Sequence, residues 1–600
     1  MKLKLPVSIL LFWAIMAFAE PLSFARAVSS AEPLTPAEPL TPAEPLPLAE
    51  DKAPKALITT ITPMAPKTHS ELWLSTAYGN ASPYEMKLNL NFGGLKLSFS
   101  PFASIGGIVP YNSARSVDED YTYTGTAPLS YTSGSRYVSH KESYARGLNA
   151  AYGFALGYMP GKRHKLTLDF KAANLYRSES GAVEESLTAA DGKYVELGWN
   201  MDSPLMRRDK IELGAAWRFA ISEDSKLRMD YSMSWESGRE ERQLNAVKNI
   251  GFDDFSYNLL KTSDLQHHHL LRMAYARTFA DKLTFDLSGS YEHNSMASYD
   301  RQWLDSYSVL DEHFSHIYNT AALHASLSYM PIDRLRLYAE FCYAYTNMQG
   351  RHLHDFLPVL TAEWRLDKDR YLKLNARRSL IRPGLSYLNP GKVREAFSIR
   401  YGNSELVGVH VNSVALDFAW RIGIVSWKIS SGYSYANDGF NGIWIEKDNI
   451  CSYTWGNEGV RHAWNISPAL SLAASPSTDI NLSADISWDK RIAEQVGMSN
   501  PHWGYSAHFD LMQRLPAAFA LKAFADYSYG ATLNLYSHAG TAYRLGMGIQ
   551  RRFGSHLLAC VEYSYDKYAD VVITQGAYSG RSIAAPKLHH TCSLSLKYEF

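Results

Sequence analysis

Several signatures of soluble and of helical membrane proteins are missing from this chain of 600 residues. Lys plus Arg and Asp plus Glu each number 60, so there is no basic excess to neutralise the phosphates of a nucleic acid. The body of the chain has no long apolar runs, which disfavours a protein built from membrane-spanning helices. Cysteine is scarce and has neither zinc-motif nor disulfide-framework spacing, since the four thiols are Cys342, Cys451, Cys560 and Cys592.

Aromatic residues, by contrast, are abundant, with 39 Tyr and 14 Trp. The last ten residues alternate strictly between an apolar and a polar face, and the chain ends on an aromatic residue. The apolar face consists of Cys592, Leu594, Leu596, Tyr598 and Phe600. In lipid such a strand requires neighbours that pair with all of its backbone N–H and C=O groups. We therefore expect Tyr598 and Phe600 to belong to the closing strand of an outer-membrane barrel.

The same period of two recurs through the body of the chain, for example over residues 165–176, 227–236, 282–292 and 479–488. One face of each segment is apolar, and the other carries charges that hydrocarbon would not tolerate but a wet lumen would. The pattern predicts an all-β fold over residues 71–600, a transmembrane antiparallel β-barrel of about 22 strands, within a range of about 20–24. By parity, Cys560 would face the lumen and Cys592 the lipid, which argues against a disulfide bond between them.

The connections between the predicted strands are of two unequal kinds. Tight polar turns, as at 161–163 and 331–333, alternate with long polar stretches at 104–147, 177–191, 238–266, 295–316, 381–410, 490–502 and 569–589. Short turns on one rim and long loops on the other predict periplasmic turns and extracellular loops. Residues 186–226 fit least well, because three expected strands are separated there by two plausible turns.

The start of the chain predicts export. Lys2 and Lys4 precede a short apolar run, and small residues end at Ala19, so residues 1–19 are expected to be a signal peptide cleaved before Glu20. The alternative is an uncleaved anchor, although the run is short for a membrane span. Residues 20–70 repeat Ala-Glu-Pro-Leu-Thr-Pro, which predicts a flexible low-complexity segment or, alternatively, a docking peptide.

A cluster of motif residues lies in the stretch 378–406: Arg378, Arg382, Pro383, Leu388, Asn389, Pro390, Gly402, Asn403 and Leu406. This stretch resembles the arginine-proline, Leu-Asn-Pro and Gly-Asn-Pro-x-Leu signature in the barrel of TonB-dependent receptor-like outer-membrane proteins. Weaker similarity extends from about residue 71 to the terminus Tyr598-Glu599-Phe600. The alternative is that these dipeptides only punctuate a loop.

The resemblance implies uptake across the cell outer membrane, but two features depart from the family. Ser404 stands where the family has proline. The family also carries an N-terminal plug domain, and a proline-rich stretch of about 50 residues before the first strand cannot bury a core of its own. We therefore expect the plug to come from a separate chain or capping lipoprotein, or from an inward loop. Outer-membrane lipid and the barrel assembly machinery are the other expected partners.

Candidate sites are diffuse. The loop 104–147 interleaves six tyrosines with small polar residues, which favours either a ligand-binding surface or self-packing over the mouth: Tyr111, Tyr121, Tyr123, Tyr131, Tyr137 and Tyr144. His267-His268-His269 and His352-x-His354 lack partners at metal-ligand spacing and are expected to be rim histidines rather than a metal site. No nucleophile motif is present, so we expect neither an enzyme nor a cofactor.

Together these observations favour an outer-membrane barrel for binding or passage of a solute, without a plug of its own. The alternative is a structural or adhesive surface protein in which the barrel anchors long extracellular loops.

Overall fold

The computed structural model describes the chain from residue 70 to residue 600, apart from 79–83, 94–95, 109–114, 124–134, 252–253, 280–281, 396–397, 448–449, 494–497, 533–536, 568–569, 574–577 and 587–588. The expected signal peptide, with Ala19 and Glu20, and the proline-rich segment up to residue 69 lie outside the described residues. Both therefore stay predictions.

Nearly all of the described chain is β-strand. The strands of the N-terminal part are β1 (Glu71–Tyr78), β2 (Tyr84–Asn89), β3 (Phe92–Gly93), β4 (Leu97–Ile108), β5 (Arg115–Tyr123), β6 (Arg136–Gly161), β7 (His164–Thr188), β8 (Tyr194–Ala220), β9 (Ser225–Ile250), β10 (Tyr257–Phe279), β11 (Leu283–Leu304), β12 (Tyr307–Ile332), β13 (Leu335–Met348), β14 (Arg351–Arg365) and β15 (Arg370–Ile381).

The C-terminal part begins with one short helix. Its elements are α1 (Leu385–Leu388), β16 (Val393–Arg394), β17 (Ile399–Arg400), β18 (Val409–Ile422), β19 (Val425–Lys447), β20 (Ile450–Ser475), β21 (Thr478–Ala493), β22 (Met498–Leu515), β23 (Phe519–Tyr529), β24 (Ser537–Ala539), β25 (Ala542–Phe553), β26 (Leu557–Lys567), β27 (Asp570–Ile573), β28 (Tyr578–Pro586) and β29 (His590–Glu599). Within the described residues, no helix is long and apolar enough to cross a bilayer.

Of these strands, 22 form a closed antiparallel barrel, as the alternating sequence predicts. The wall closes where the first strand pairs with the last, with Leu72 opposite Tyr598 and Leu74 opposite Leu596. Ser70 and Phe600 exchange both backbone hydrogen bonds beyond that ladder, at 3.1 and 2.9 Å. Because the ladder runs through all 22 strands and back, the barrel wall has no free edge.

The two faces of the wall follow the period of two in the sequence. In β29 the odd and even positions alternate between half-buried polar residues and exposed apolar ones, and Tyr598 and Phe600 are 44% and 47% exposed on the outside. Cys592 lies on this outer face, whereas Cys560 lies on the lumen face opposite Ser595, as expected.

Pairs of tyrosine and histidine encircle the outer surface above the apolar band. In five of them the tyrosine hydroxyl lies 2.6–2.9 Å from an imidazole Nδ1: Tyr231 with His269, Tyr343 with His354, Tyr345 with His352, Tyr433 with His462 and Tyr563 with His590. Between this belt and the short turns, the outward positions are almost all apolar. The belt therefore marks the outer boundary of the hydrocarbon, as aromatic girdles do in barrels of this class.

The strands continue far beyond the belt. β8 has 27 residues, whereas a tilted strand needs about 9–11 to cross the hydrocarbon. Most of the long connections expected from the sequence, including 177–191, 238–266 and 295–316, are thus mainly extensions of paired strands rather than irregular loops.

Residues 186–226, which fit the sequence pattern least well, contain one strand fewer than expected. The segments expected at 193–200 and 209–220 are a single strand, β8, interrupted by a register shift between Asp202 and Leu205. A β-bulge places an extra residue in one strand without ending it, so polar residues there resemble a turn in sequence. The up-and-down order of strands is thereby preserved.

Seven short strands lie outside the barrel ladder: β3, β5, β16, β17, β24, β27 and β28. Four of them continue the sheet beside the upper part of β6. β5 pairs with β6, β28 with β5, β27 with β28, and β24 with β27. They extend the wall beyond the shorter strands near the closure.

The alternation makes a testable prediction at Leu416, a 43% exposed residue on the outer face of β18. Leu416→Arg should lower the free energy of unfolding from a bilayer by about 2–4 kcal/mol, the cost of a cation at the midplane of a barrel's lipid face. The measurement is urea unfolding of the chain refolded in lipid vesicles. Ala415→Arg, which places the same charge on the lumen face one residue away, should cost far less, and equal losses would contradict the assigned faces.

Candidate functional site in the barrel lumen

Residues 382–408 leave the wall and return to it at one point, because Ile381 and Val409 are directly paired in β15 and β18. We call this stretch the lumen segment. It contains α1, β16 and β17, and residues 396–397 within it lie outside the description. Its contacts are with lumen-facing residues of several wall strands, so it folds into the barrel instead of projecting from it.

Two leucines fix the lumen segment to the wall by apolar contact. Leu388 is fully buried and Leu406 is 1% exposed, although both belong to a connection between strands. They form one cluster with Met296 of β11, Tyr318 of β12 and Met348 of β13. Burying leucine in this way is worth about 1.5–3 kcal/mol per side chain, so this contact holds the segment against three adjacent strands.

Asn389 adds a polar attachment to β11. Its side-chain amide donates to the Ser298 hydroxyl at 3.3 Å and to the carboxylate of Asp300. Asp300 is only 4% exposed, and burial raises the pKa of its carboxyl, against the effect of the two hydrogen-bond donors Asn389 and Ser298. A buried carboxyl of this kind is costly without donors, so Asn389 and Asp300 stabilise each other's position.

Gly402 and Asn403, in the second half of the lumen segment, are hydrogen-bonded to its first half. The Gly402 N–H donates to the Asn389 carbonyl and the Asn403 N–H to the Tyr387 carbonyl, both at 2.6 Å. A Cβ atom at position 402 would lie 2.5 Å from the Asn389 oxygen and 2.6 Å from the Tyr387 oxygen. Only glycine fits where the two backbones approach so closely.

Arg382 anchors the start of the lumen segment. Its Nη2 donates to the Thr320 hydroxyl at 3.0 Å and to the Thr346 hydroxyl at 2.8 Å, and its guanidinium lies 5.0 Å from the centre of the Tyr318 ring. The two threonines are opposite one another in β12 and β13. The cation is therefore held by two neutral hydroxyl acceptors and by an aromatic face.

The far end of the lumen segment reaches β9, β10 and β11. The backbone of Arg394 exchanges two hydrogen bonds with the side chain of Gln302, at 2.8 and 2.6 Å. Glu395 forms an ion pair of 2.8 Å with Arg242, which is only 8% exposed. A buried arginine is tolerated when its charge is paired in this way.

Both halves of the lumen segment contact β20. β17 pairs with β20 in parallel, Tyr387 and Trp455 have ring centres 4.2 Å apart, and the Asn403 side chain donates to the Trp455 carbonyl at 2.9 Å. The segment thus joins β9–β13 to β20 and narrows that side of the lumen. The sequence motif indicates the residues of the lumen segment but not their wall partners, which include Asp300, Tyr318 and Trp455. The only indication in the sequence is the alternation of the wall strands, which predicts that these partners face the lumen.

The remaining motif residues are Pro383 and Pro390 of the lumen segment and Arg378 of the strand before it. Pro383 is buried, Pro390 is half-buried, and Arg378 lies on β15 with a buried Nε that has no hydrogen-bond partner. Eight of the nine motif residues, from Arg382 to Leu406, therefore lie inside one folded segment.

The six tyrosines of the 104–147 stretch are distributed differently. Tyr111 and Tyr131 lie outside the described residues, as do the side chains of Tyr121 and Tyr123 in β5. Tyr144 is 39% exposed on the outer face of β6, whereas Tyr137 points inward and donates to the Glu185 carboxylate at 2.8 Å. Burial raises the pKa of both Tyr137 and Glu185. A binding role for these tyrosines stays a prediction.

The histidine clusters face mainly outward. His267 and His269 share the outer face of β10, as their spacing predicts, and His268 points inward to Glu292 at 3.1 Å. His352 and His354 belong to the tyrosine-histidine belt rather than to a loop rim. Across the described part of the chain, no group of three or more His, Cys, Asp or Glu side chains is arranged to hold a metal ion.

Comparison with solved structures finds barrels of similar shape. The ferric enterobactin receptor of Pseudomonas aeruginosa superposes with a TM-score of 0.57 at 12% identity, over 89% of this chain and 81% of that one. The copper transporter OprC gives 0.61 at 10% identity, over 89% and 82%. The ferric yersiniabactin uptake receptor FyuA from Yersinia pestis gives 0.57 at 11%, over 89% and 80%. At such identities the likeness shows the fold alone.

A comparison with curated proteins finds no match. The model of the outer membrane protein beta-barrel family, however, matches residues 217–558, which is more than half of the chain and includes the whole lumen segment. The chain therefore belongs to the outer membrane protein beta-barrel family.

Proposed function

We propose that this protein binds a solute at the extracellular mouth of the barrel and lets it pass through the lumen beside the lumen segment. The observation that carries the proposal is the inward course of residues 382–408, which are attached to β9–β13 and to β20. A lumen enclosed by 22 strands is too wide for side chains alone to fill. A folded segment attached to the wall narrows such a lumen while leaving a path beside it.

Two further points support passage of a small solute. The lumen face carries paired charges, such as Lys597 with Glu71 at 2.6 Å and Arg544 with Asp566 at 3.1 Å. The similar solved structures include proteins named for ferric siderophore uptake and for copper transport. No catalytic role is part of the proposal.

We also propose how the chain is exported and inserted into the membrane. Residues 1–19 direct export and are cleaved before Glu20, and residues 20–70 are a flexible segment on the periplasmic side. The barrel assembly machinery inserts residues 71–600 into the outer membrane. Further closure of the lumen comes, in this proposal, from a separate plug chain or a capping lipoprotein.

A second candidate function is favoured by the length of the wall. Strands such as β8, with 27 residues, rise well beyond the tyrosine-histidine belt. β6, which is of similar length, carries the exposed Tyr144 on its outer face. Such a projecting wall also suits a structural or adhesive role at the cell surface. Electrical conductance separates the two candidates, because only the first needs an open path.

Removal of the lumen segment is the direct test. Since Ile381 and Val409 are already paired, residues 382–408 can be replaced by an Asn-Gly turn that closes the hairpin without stretching it. We expect the intact chain to give small steady currents in a planar bilayer, and the shortened chain to give currents several-fold larger.

The matched control replaces residues 186–196, at the tip of the β7–β8 hairpin, by the same turn, since Glu185 and Leu197 are paired there. This change shortens the wall but keeps the contacts of the lumen segment, so the currents should stay near those of the intact chain. Silence from both the intact and the shortened chains would sink the passage proposal and favour the surface role.

The close approach at Gly402 provides a smaller perturbation. Gly402→Ala should displace the lumen segment, because its Cβ would overlap two backbone oxygens, at a cost of about 1–3 kcal/mol for overpacking. The expected result is faster tryptic cleavage at Lys392, Arg394 and Arg400 and a larger conductance, with the barrel intact.

Gly384→Ala is the matched control, because nothing lies within 4 Å of a Cβ at that position and the φ angle there is −78°. It should leave both cleavage and conductance unchanged. If Gly402→Ala behaves like Gly384→Ala, the lumen segment is not packed as described.

A further inference from the structure

A thiol and an imidazole face each other on the lumen side of the β12–β13 hairpin. His324 and Cys342 are directly paired in the ladder, and the Cys342 Sγ lies 3.7 Å from the His324 Nε2. Both residues have lumen-facing parity, because Leu323 and Phe341 beside them are 56% and 47% exposed on the outside. The pair belongs neither to the lumen segment nor to the tyrosine-histidine belt.

The imidazole is held from behind by a carboxylate. The His324 Nδ1 lies 3.3 Å from the Glu340 Oε1, and the other oxygen of Glu340 accepts a hydrogen bond from the Tyr338 hydroxyl. A carboxylate can only accept, so His324 carries its proton on Nδ1 and presents the Nε2 lone pair to the sulfur. Histidines that bind metals are oriented by carboxylates in this way.

The separation of sulfur and nitrogen fits two ligands of one metal ion. Zinc lies about 2.3 Å from a thiolate and about 2.0–2.1 Å from an imidazole nitrogen, so tetrahedral ligands are about 3.5–3.6 Å apart. The observed 3.7 Å is close to this value. Cobalt, cadmium and zinc can occupy the same combination of soft sulfur and nitrogen donors.

The charged groups nearest the Cys342 thiol are the carboxylates Glu340 and Asp355 and the guanidinium of Arg272. Asp355 is itself paired with His410, whose Nε2 lies 2.7 Å from its Oδ1. Arg272 is directed to the Ser288 hydroxyl at 3.0 Å. Cys342 itself is 6% exposed, but the side chains of His324 and Glu340 are 24% and 27% exposed, so the lumen reaches the pair.

We propose that Cys342 and His324 form a two-residue binding site for a thiophilic metal ion of the zinc class, with Glu340 as a positioning residue. The metal ion replaces the Sγ proton, which is released to solvent, and binds the Nε2 lone pair, while Nδ1–H remains donated to Glu340. Water or the ligands of an arriving ion complete the coordination. Two protein ligands hold an ion less tightly than a closed four-ligand site does, so exchange with the lumen is rapid. This inference does not depend on passage of a solute.

The test uses the full chain, refolded in detergent, in a background with Cys451, Cys560 and Cys592 replaced by serine. Cadmium is titrated under a non-thiol reductant, and the absorbance of the thiolate-to-cadmium charge-transfer band is followed. We expect one equivalent per chain, displaced by zinc. Cys342→Ser should abolish the band, His324→Gln should weaken binding at least tenfold, and Glu340→Gln should weaken it by about 10–100-fold.

The matched control keeps Cys560 as the single cysteine, since this residue also faces the lumen but lies opposite Ser595 in the ladder. It should give no band at the same cadmium concentration. All variants are compared for the heat-sensitive mobility of a folded barrel. An equal affinity for Cys342 alone and Cys560 alone, or a folded His324→Gln variant that binds as tightly as its parent, would overturn the site.

Discussion

Closure of the backbone hydrogen-bond ladder is the constraint on which the rest of this structure depends. In hydrocarbon no water is present to satisfy a strand edge, so the first strand must pair with the last, as Ser70 and Phe600 do at the end of the β1–β29 ladder. Once the wall closes, every side chain faces either lipid or lumen. The period of two then separates the outward Leu594, Leu596 and Tyr598 from Lys597 and Glu599, whose charges meet in a wet interior.

Closure with 22 strands creates a second problem, which is the width of the interior. The lumen segment fills part of this interior and is held there by contacts of different kinds. Leu388 and Leu406 supply buried apolar area, which is not directional, whereas Asn389 and Arg382 supply hydrogen bonds that fix position. Buried Asp300 makes the arrangement specific, because a displaced Asn389 would leave a carboxyl without its donor.

Sequence alone predicted the barrel and its approximate strand number because alternation is local and is repeated in each strand. The same rule separates Tyr137 from Tyr144, whose positions differ by an odd number and which occupy opposite faces of β6. The alternation gave the wrong number of strands over residues 186–226, because the polar residues at a β-bulge resemble a turn in sequence. The alternation also does not predict which residues of distant strands lie at the same level of the barrel. Asn389 and Asp300 are 89 residues apart, and nothing in either local pattern indicates that they meet.

Pairs within one tight hairpin are different, since the position of the turn sets the register of both strands. The sequence indicates a turn at Pro331 to Asp333. The strands folded about that turn, with a register shift between Tyr329 and Ile332, bring His324 beside Cys342. The same register brings Thr320 beside Thr346, which together hold Arg382. On each strand the two pairs are four residues apart, or about 13 Å along the strand. The anchor of the lumen segment and the thiol–imidazole pair therefore share two strands, and any shift of that hairpin moves both. Along the path proposed for a solute, the Arg382 anchor comes first and the sulfur and nitrogen donors come next.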